Sequence, residues 1–483
     1  MTELQHAAKA TRPRIQPAEE GDRRPLSVSA RLGRLQFHQS GKFRVLQFAD
    51  IQDGPKVSKD TISLIEASLD ATRPDLVIFN GNQIAGYDSA YALTSRKRRW
   101  DARPASASSE ASGERYAAAL EHTRELVRAT IEQLVHPLAD RGVPWAVTFG
   151  NHDFQCGLDN DEIESICREF PGCINPERAA DGTTGIAVKH DVGDMEQDFG
   201  LPEQPVIACA PGTFALSVTD VDRTYDVLGL VLLDSGDYAR SGGYGSPSEA
   251  ALRFLADAPG LMAAQSQQLQ QDRQDEQDSP REPRKTPSTL PCMVFQHFPI
   301  EQYYRLLKPV AATAARAIEG YRNFAGRHFV LNEDKTQPGS YLGEGVSCPD
   351  ADSGEFAILD KAGYFAISAG HDHRNAFVGS VPVGTDGDRQ MMMVASPTSG
   401  FGSYGPVPAK RAARLFEFDI RHPYEPRTQL LEYDELVGKP SAGKAYAYGM
   451  TSESKPDSEG MDLLHRPTWW SKTWNKLVSL FRR

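Results

Sequence analysis

The sequence predicts a layered α/β domain. Three observations carry that expectation. Short, nearly continuous apolar runs recur along the chain, segments of helical periodicity lie between them, and most runs stop abruptly at Asp, Asn, His or Gly. Runs without strict alternation suit strands buried on both faces. Strand alternating with helix makes a layered arrangement, with polar residues at the carboxyl ends of the strands.

Residues 1–40 are polar and mixed in charge and read as a flexible arm. FRVLQFAD (43–50) is the first strand, VSKDTISLIEASLDA (57–71) a helix, and DLVIFNG (75–81) the second strand. Over 115–139, Tyr116, Leu120, Val127, Ile131, Leu134 and Leu138 fall near one face at three-to-four spacing, which predicts an amphipathic helix. WAVTFGN (145–151) is a strand and 159–170 a weaker helix. FALSVTDVDRTYDVLGLVLLD reads as an antiparallel hairpin turning near Asp222 and Arg223, and YDVLGLVLLDSG (225–236) is its second arm. PCMVFQHF (291–298), YFAISAGHD (364–372) and MMMVASP (391–397) complete the runs. Residues 94–114 (basic, then Ser/Ala-rich) and 262–289 (Gln/Asp/Pro-rich) read as solvated insertions. The globular domain is therefore expected over 41–437, with a linker at 438–465 and a separate tail at 466–483.

Composition narrows the function. With 40% hydrophobic and 24% charged residues a sizeable core can form. Mean hydropathy is -0.47, and no run reaches the roughly 18–20 apolar residues of a membrane span. The net charge of -12 gives no pull toward nucleic acid, and no nucleic-acid partner is expected. The first thirty residues lack an apolar signal region, which predicts a cytoplasmic protein. The six cysteines form no C-x-x-C pair and read as reduced, mostly buried thiols.

The strand ends collect the chemistry. Asp50 and Gln52 follow the first strand, and Asn82 follows the second in Gly81-Asn82-Gln83. Gly150-Asn151-His152-Asp153 follows the third. His297 ends a later strand, and Gly370-His371-Asp372-His373 ends another. His, Asp and amide oxygens are ligands for borderline-hard divalent metals. Converging from separate strand ends, they can hold two metals for in-line attack on a phosphate ester.

These blocks resemble the five-block signature of the calcineurin-like metallophosphoesterases: D-x-H, G-D, G-N-H-D/E, a lone His, and G-H-x-H, in that order. The resemblance covers about residues 43–436. LLDSGDY (232–238), the GGYG after it, SGEF before GHDH, and SPTSGFGSYG with a following R-A-A-R are similar to the purple-acid-phosphatase-like branch. The family fold is a four-layer sandwich of two mixed β-sheets flanked by helices. The resemblance implies that Asp50 and His373 hold one metal and that Asn151, His297 and His371 hold the other. It implies one or two divalent ions (Mn, Fe or Zn) per chain and a phosphate-ester substrate attacked by metal-activated water. His152 would protonate the leaving oxygen and Asp153 would orient it.

Two positions depart from the pattern. Gln52 stands where the family has His, and Asn82 where it has the bridging Asp. Either can ligate through its carbonyl oxygen, but both are neutral. Two dications about 3.5 Å apart repel by roughly 19 kcal/mol at an effective dielectric near 20, and the bridging carboxylate is normally a main offset. Asp50 remains as the recognised anionic ligand, with Asp53 a nearby substitute. The alternative to an active enzyme is a catalytically weakened or inactive phosphoesterase-like binding or scaffold protein.

Asp234 and Asp237 are expected either to orient ligands or to cap a loop, and Arg374 either to touch phosphate or to form a surface salt bridge. Gly400, Gly402 and Tyr404 are expected to shape a loop near the site. The tail RPTWWSKTWNKLVSLFRR has five basic residues and no acid, with Trp470, Trp474, Leu477, Val478 and Phe481 near one helical face. That pattern suits peripheral contact with an anionic membrane surface. A helix docked on its own domain, or one that binds a partner, fits the pattern as well.

Overall fold

A computed structural model describes residues 24–102, 110–177, 201–275 and 288–438. The first part of the chain builds α1 (Val28–Leu32), β1 (Lys42–Phe48), α2 (Lys59–Thr72), β2 (Leu76–Asn80), α3 (Glu110–Asp140), β3 (Trp145–Thr148) and α4 (Asn160–Cys167). Next come β4 (Val206–Ala210), β5 (Thr213–Thr219), β6 (Asp226–Leu233), α5 (Glu249–Asp275) and β7 (Cys292–Gln296). The short strands β8 (Leu307–Val310), β9 (Ile318–Glu319) and β10 (His328–Leu331) precede α6 (Glu355–Ala362) and β11 (Tyr364–Ala369). β12 (Val378–Val383), β13 (Arg389–Ala395), β14 (Ala412–Asp419), β15 (His422–Glu432) and α7 (Tyr433–Val437) close the described chain.

Two large sheets are mixed in direction. One runs β15-β14-β1-β2-β3, with β1, β2 and β3 parallel and β14 antiparallel to β1. The other runs β12-β13-β11-β7-β6-β5-β4, with β6, β7, β11 and β13 parallel. The third sheet, β8-β10-β9, is small.

The apolar runs lack alternation because both faces of each sheet are covered. Phe43, Val45, Leu76 and Ile78 pack against Leu228, Leu230, Leu232, Met293 and Phe295 between the sheets. Leu46, Phe48, Val77 and Phe79, one residue out of phase, pack under α2, α3 and α4 with Leu69, Val127, Ile131 and Ile163. Val231, Leu233, Cys292 and Val294 meet Leu255, Met262 and Leu359 of α5 and α6 on the far side. This period of two, with a partner on either side, gives four layers: helices, sheet, sheet, helices.

All seven apolar runs are strands, and β5 and β6 form the expected hairpin. Three composition-based expectations give way. Residues 24–40 are not a loose arm: Ser27, Leu35 and Phe37 are buried, and Gln36 bridges to Thr219. A few apolar anchors suffice to fasten a polar segment to a sheet edge. Within 94–114, Thr94 and Arg96 are buried and α3 already begins at Glu110. Within 262–289, α5 continues to Asp275 and buries Met262, Ala263 and Ser266. A helix needs only one apolar face, so a polar average hides it. Residues 439–483, which hold most of the linker and the whole basic tail, lie outside the described residues. Among the described residues no helix is long and apolar enough to cross a membrane.

Candidate active site

The parallel strands of both sheets end on one rim. Asp50 follows β1, Asn82 follows β2, and Asn151 and His152 follow β3. From the other sheet, His297 follows β7, and His371 and His373 follow β11. The chain turns sharply there: Asp50, Gln52, Asn82 and His371 all have left-handed backbones, with φ of 52°, 45°, 56° and 69°. Such a conformation costs a non-glycine residue about 1–2 kcal/mol, less for Asn and Asp. The strand ends also approach closely. A Cβ on Gly150 would lie 2.2 Å from Asn82 Oδ1, and one on Gly370 would lie 2.7 Å from Asp50 Oδ2. The glycines of GNHD and GHDH are therefore space requirements of the site.

Asp50 is fully buried at the centre. Its Oδ2 accepts the His371 backbone N–H at 2.6 Å, and its Oδ1 lies 3.4 Å from His373 Nε2 and 3.8 Å from His297 Nε2. Burial would raise this carboxyl, but His297 and His373 around it hold it well below the usual carboxylate range. His373 donates from Nδ1 to the Tyr404 carbonyl at 2.6 Å, and its ring stacks on Tyr404 at 4.1 Å. Burial disfavours its charged form, yet Asp50 outweighs that and raises it. His297 turns Nδ1 toward the Asn80 carbonyl at 3.2 Å, which leaves its Nε2 with a lone pair 3.1 Å from Asn151 Oδ1. His371 is wedged between Tyr244 and Phe298, with centroids at 4.4 and 4.7 Å. Burial lowers His371 strongly, so its ring is neutral, and its buried Nε2 has no hydrogen-bond partner.

Asn82 occupies the middle of this cluster. Its Nδ2 is 3.1 Å from Asp50 Oδ1, 3.2 Å from Asn151 Oδ1 and 2.9 Å from His297 Nε2. Its Oδ1 accepts the His152 backbone N–H at 2.9 Å. Asn151 is oriented in turn by Tyr238, whose hydroxyl accepts from Asn151 Nδ2 at 2.9 Å, so Asn151 Oδ1 faces the cluster.

Several expected roles change. Asp153 does not orient His152; its carboxylate accepts backbone N–H groups from Asn82, Gln83, Ile84 and Gly150. Four donors from two loops outbid one imidazole, so Asp153 fixes the Asn82 turn. Gln155 takes the orienting place, with Oε1 2.8 Å from His152 Nδ1. Gln52 is buried, but its Oε1 accepts from the Tyr87 hydroxyl at 3.2 Å, and among the described residues no hydrogen bond joins its side chain to Asp50 or His373. Asp53 is no substitute ligand, because its Oδ2 is engaged by Ser58 N–H and the Thr61 hydroxyl, under the N-terminus of α2. Asp234 grips Arg99 through both oxygens at 2.7 and 2.9 Å, and Asp237 accepts the Arg99 backbone N–H. Both aspartates thus hold the 94–102 segment rather than the ligands. Arg374 turns to the 343–344 loop, donating its backbone N–H to Glu344 and its guanidinium to the Gly343 carbonyl. The 398–405 loop lies where expected: Thr398 donates to the Asp50 carbonyl, and Tyr404 supports His373.

The sequence reading missed Tyr87, Gln155, Tyr238, Tyr244 and Arg99. Gln155 was findable, since it lies one turn beyond His152. Tyr238 and Tyr244 sit in stretches already singled out. Nothing local marks Arg99, whose partner is 135 residues away. Arg98 adds a cation over the Tyr238 ring at 3.9 Å.

Among the described residues no group of three His, Cys, Asp or Glu side chains stands ready to hold a metal. The donors that do converge are the Asp50 carboxylate, the His297 and His373 imidazoles and the Asn151 amide oxygen, and the His371 ring, whose Nε2 is unpartnered, lies 5.1 Å from that of His297. This set fits one cation. It does not fit a bridged pair, because the bridging position presents a neutral amide with its nitrogen inward.

No family model matches the chain. Among curated proteins it is 21% identical over 383 residues to Phosphatase DCR2 of Saccharomyces cerevisiae, covering 73% of this chain and 47% of that protein. The chain thus spans about half the length of the yeast phosphatase. It is 23% identical over 406 residues to "Probable inactive purple acid phosphatase 28" of Arabidopsis thaliana, covering 79% of this chain and 77% of the relative. It is 20% identical over 477 residues to "Probable inactive purple acid phosphatase 29" of the same plant, covering 94% and 92%. Among solved structures, "GAP50 the anchor in the inner membrane complex of Plasmodium" aligns at a TM-score of 0.36 and 10% identity, over 82% of this chain and 86% of that one.

Proposed function

We propose that this chain, whose curated relatives are purple-acid-phosphatase-like phosphoesterases of the calcineurin type, hydrolyses a phosphate ester with the help of one divalent cation. The observation that carries the reading is the convergence of Asp50 Oδ1, Asn151 Oδ1 and His297 Nε2, with the His371 ring 5.1 Å from that of His297 and its buried Nε2 without a partner. Asn151, His297 and His371 would hold the cation, with Asp50 as the anion. Nitrogen and oxygen donors of this kind suit Mn, Fe or Zn. The chemistry such a cation supplies is Lewis-acid polarisation of the phosphoryl oxygens and of a water. The protein's own share falls to His152. Its Nδ1 faces Gln155 Oε1 and so carries the hydrogen, which leaves Nε2 as the atom that takes up a proton and delivers it to the leaving oxygen.

One observation favours a second reading, a binding or scaffold protein without turnover: the Asn82 amide already points its two N–H donors into the three converging lone pairs. Elemental analysis after dialysis, joined to hydrolysis of 4-nitrophenyl phosphate with added Mn²⁺ or Zn²⁺, separates the two. The one-cation reading expects at most one retained ion per chain and cation-dependent turnover. Two firmly held ions would remove it in favour of a bridged pair, and background rates with no bound ion would leave the second reading.

A further inference from the structure

Asn82 is more than a missing carboxylate. An amide can face a cluster with its oxygen or its nitrogen, and three neighbours fix which. The His152 backbone N–H needs an acceptor and finds Asn82 Oδ1 at 2.9 Å. His297 Nε2 carries a lone pair because its other nitrogen faces the Asn80 carbonyl, and Asp50 is a carboxylate; both need a donor. Turning the amide over would set oxygen against oxygen at Asp50 and N–H against N–H at His152. The nitrogen therefore points inward, and its two hydrogens lie among the acceptors that a cation would use. The position is tightly cradled, since even a Cβ on Gly150 would meet Asn82 Oδ1 at 2.2 Å.

We propose that Asn82 is a built-in competitor for the cation. Its amide nitrogen points into the ligand cluster and must turn away before an ion can be held. Turning it releases the His152 backbone N–H, so cation occupancy is coupled to the loop that carries the general acid. This rests on the one-cation reading above.

The test uses the full chain, stripped with chelator and titrated with Mn²⁺ and Zn²⁺ by calorimetry and by thermal shift. Wild type is compared with Asn82→Ala, Asn82→Asp and Asn82→Gly. Glycine suits the left-handed backbone at 56° and keeps the test intact should the alanine variant not fold. If Asn82 competes, Asn82→Ala and Asn82→Gly bind the ion about tenfold or more tighter than wild type, a gain of about 1.4 kcal/mol. Asn82→Asp binds tighter still. If Asn82 is only a lost ligand, removing it adds nothing: alanine and glycine variants no tighter than wild type, with a gain confined to aspartate, overturn the proposal. If none of the four proteins takes up an ion, the one-cation reading itself fails. If wild type and all variants bind alike and tightly, that reading stands and the competitor proposal falls.

Discussion

His152 bears the chemical claim most directly. Burial lowers its imidazole to about 4, so at neutral pH the ring is neutral. The fraction able to give a proton then grows about tenfold for each unit the pH falls from 7 toward 5. kcat/KM for an alkyl phosphate should climb accordingly, and 4-nitrophenyl phosphate, which leaves without a proton, should respond weakly. His152→Ala should lower kcat on the alkyl ester by about 10²–10⁴-fold and much less on the nitrophenyl ester. Equal losses on both would show that His152 is not the acid. At this scale the four site histidines were legible because each follows an apolar run within a recognisable block. The direction of the Asn82 amide was not, since it depends on a backbone N–H at His152 and on lone pairs from both sheets. Nor was the commitment of Asp53 to Ser58 and Thr61, which only the placement of α2 reveals.

Among the elements, the 94–102 segment acts as a brace. Arg96 is buried against Asp159, Arg99 forks onto Asp234, and Arg98 lies over Tyr238, which in turn orients Asn151. Arg99→Ala should destabilise the protein to urea by about 1.5–3 kcal/mol, the range for a hydrogen bond to a charged group. Arg99→Lys, a point charge without the fork, should recover only part of the loss. An unchanged urea midpoint would mean the segment is not a brace. Its character escaped the sequence because Arg-Lys-Arg-Arg is ordinarily a solvated run, and what buries it comes from distant loops. The first turn of α6 offers a second test. Burial pushes Glu355 up to about 7, against a hydrogen bond from Gln296. The folded protein then binds more protons than the unfolded one between about pH 4.5 and 7, so this contribution is present at low pH and lost as pH rises through 7. Glu355→Gln should stabilise the protein at pH 8, by up to about 3 kcal/mol, and change little at pH 5. Denaturant melts at the two pH values check this, and equal effects at both would contradict it.

For the whole molecule, the decisive fact is that the site straddles two sheets. Asp50, Asn82 and Asn151 come from one, and His297 and His371 from the other, so neither sheet alone holds a usable set. The layered architecture was legible because seven buried runs can be covered on both faces in few ways. β14 and β15 were not, because their polar outward positions break up the apolar signal, as the mixed exposure of ARLFEFD shows. The basic segment 466–483 keeps its sequence-based proposal of reversible contact with an anionic surface, at about 1 kcal/mol per basic residue near that surface. The whole chain should sediment with anionic vesicles at low salt, and a chain shortened to end at Gly460 should not. Identical sedimentation would remove the membrane proposal.

The left-handed turns at Asp50, Gln52, Asn82 and His371 have a consequence for what this rim can become. After β1, β2 and β11 the chain turns through a backbone shape that few side chains accept. A replacement is therefore sieved by dihedral angle before it is sieved by chemistry. Asn tolerates that shape as well as Asp does, so exchanging one for the other alters the charge of the centre and leaves its scaffold untouched. A rim of this kind can lose or regain an anionic ligand in a single step, while β-branched replacements meet a backbone penalty first. At Asp50 and Asn82 the backbone angle restricts the residue type more than it restricts the charge.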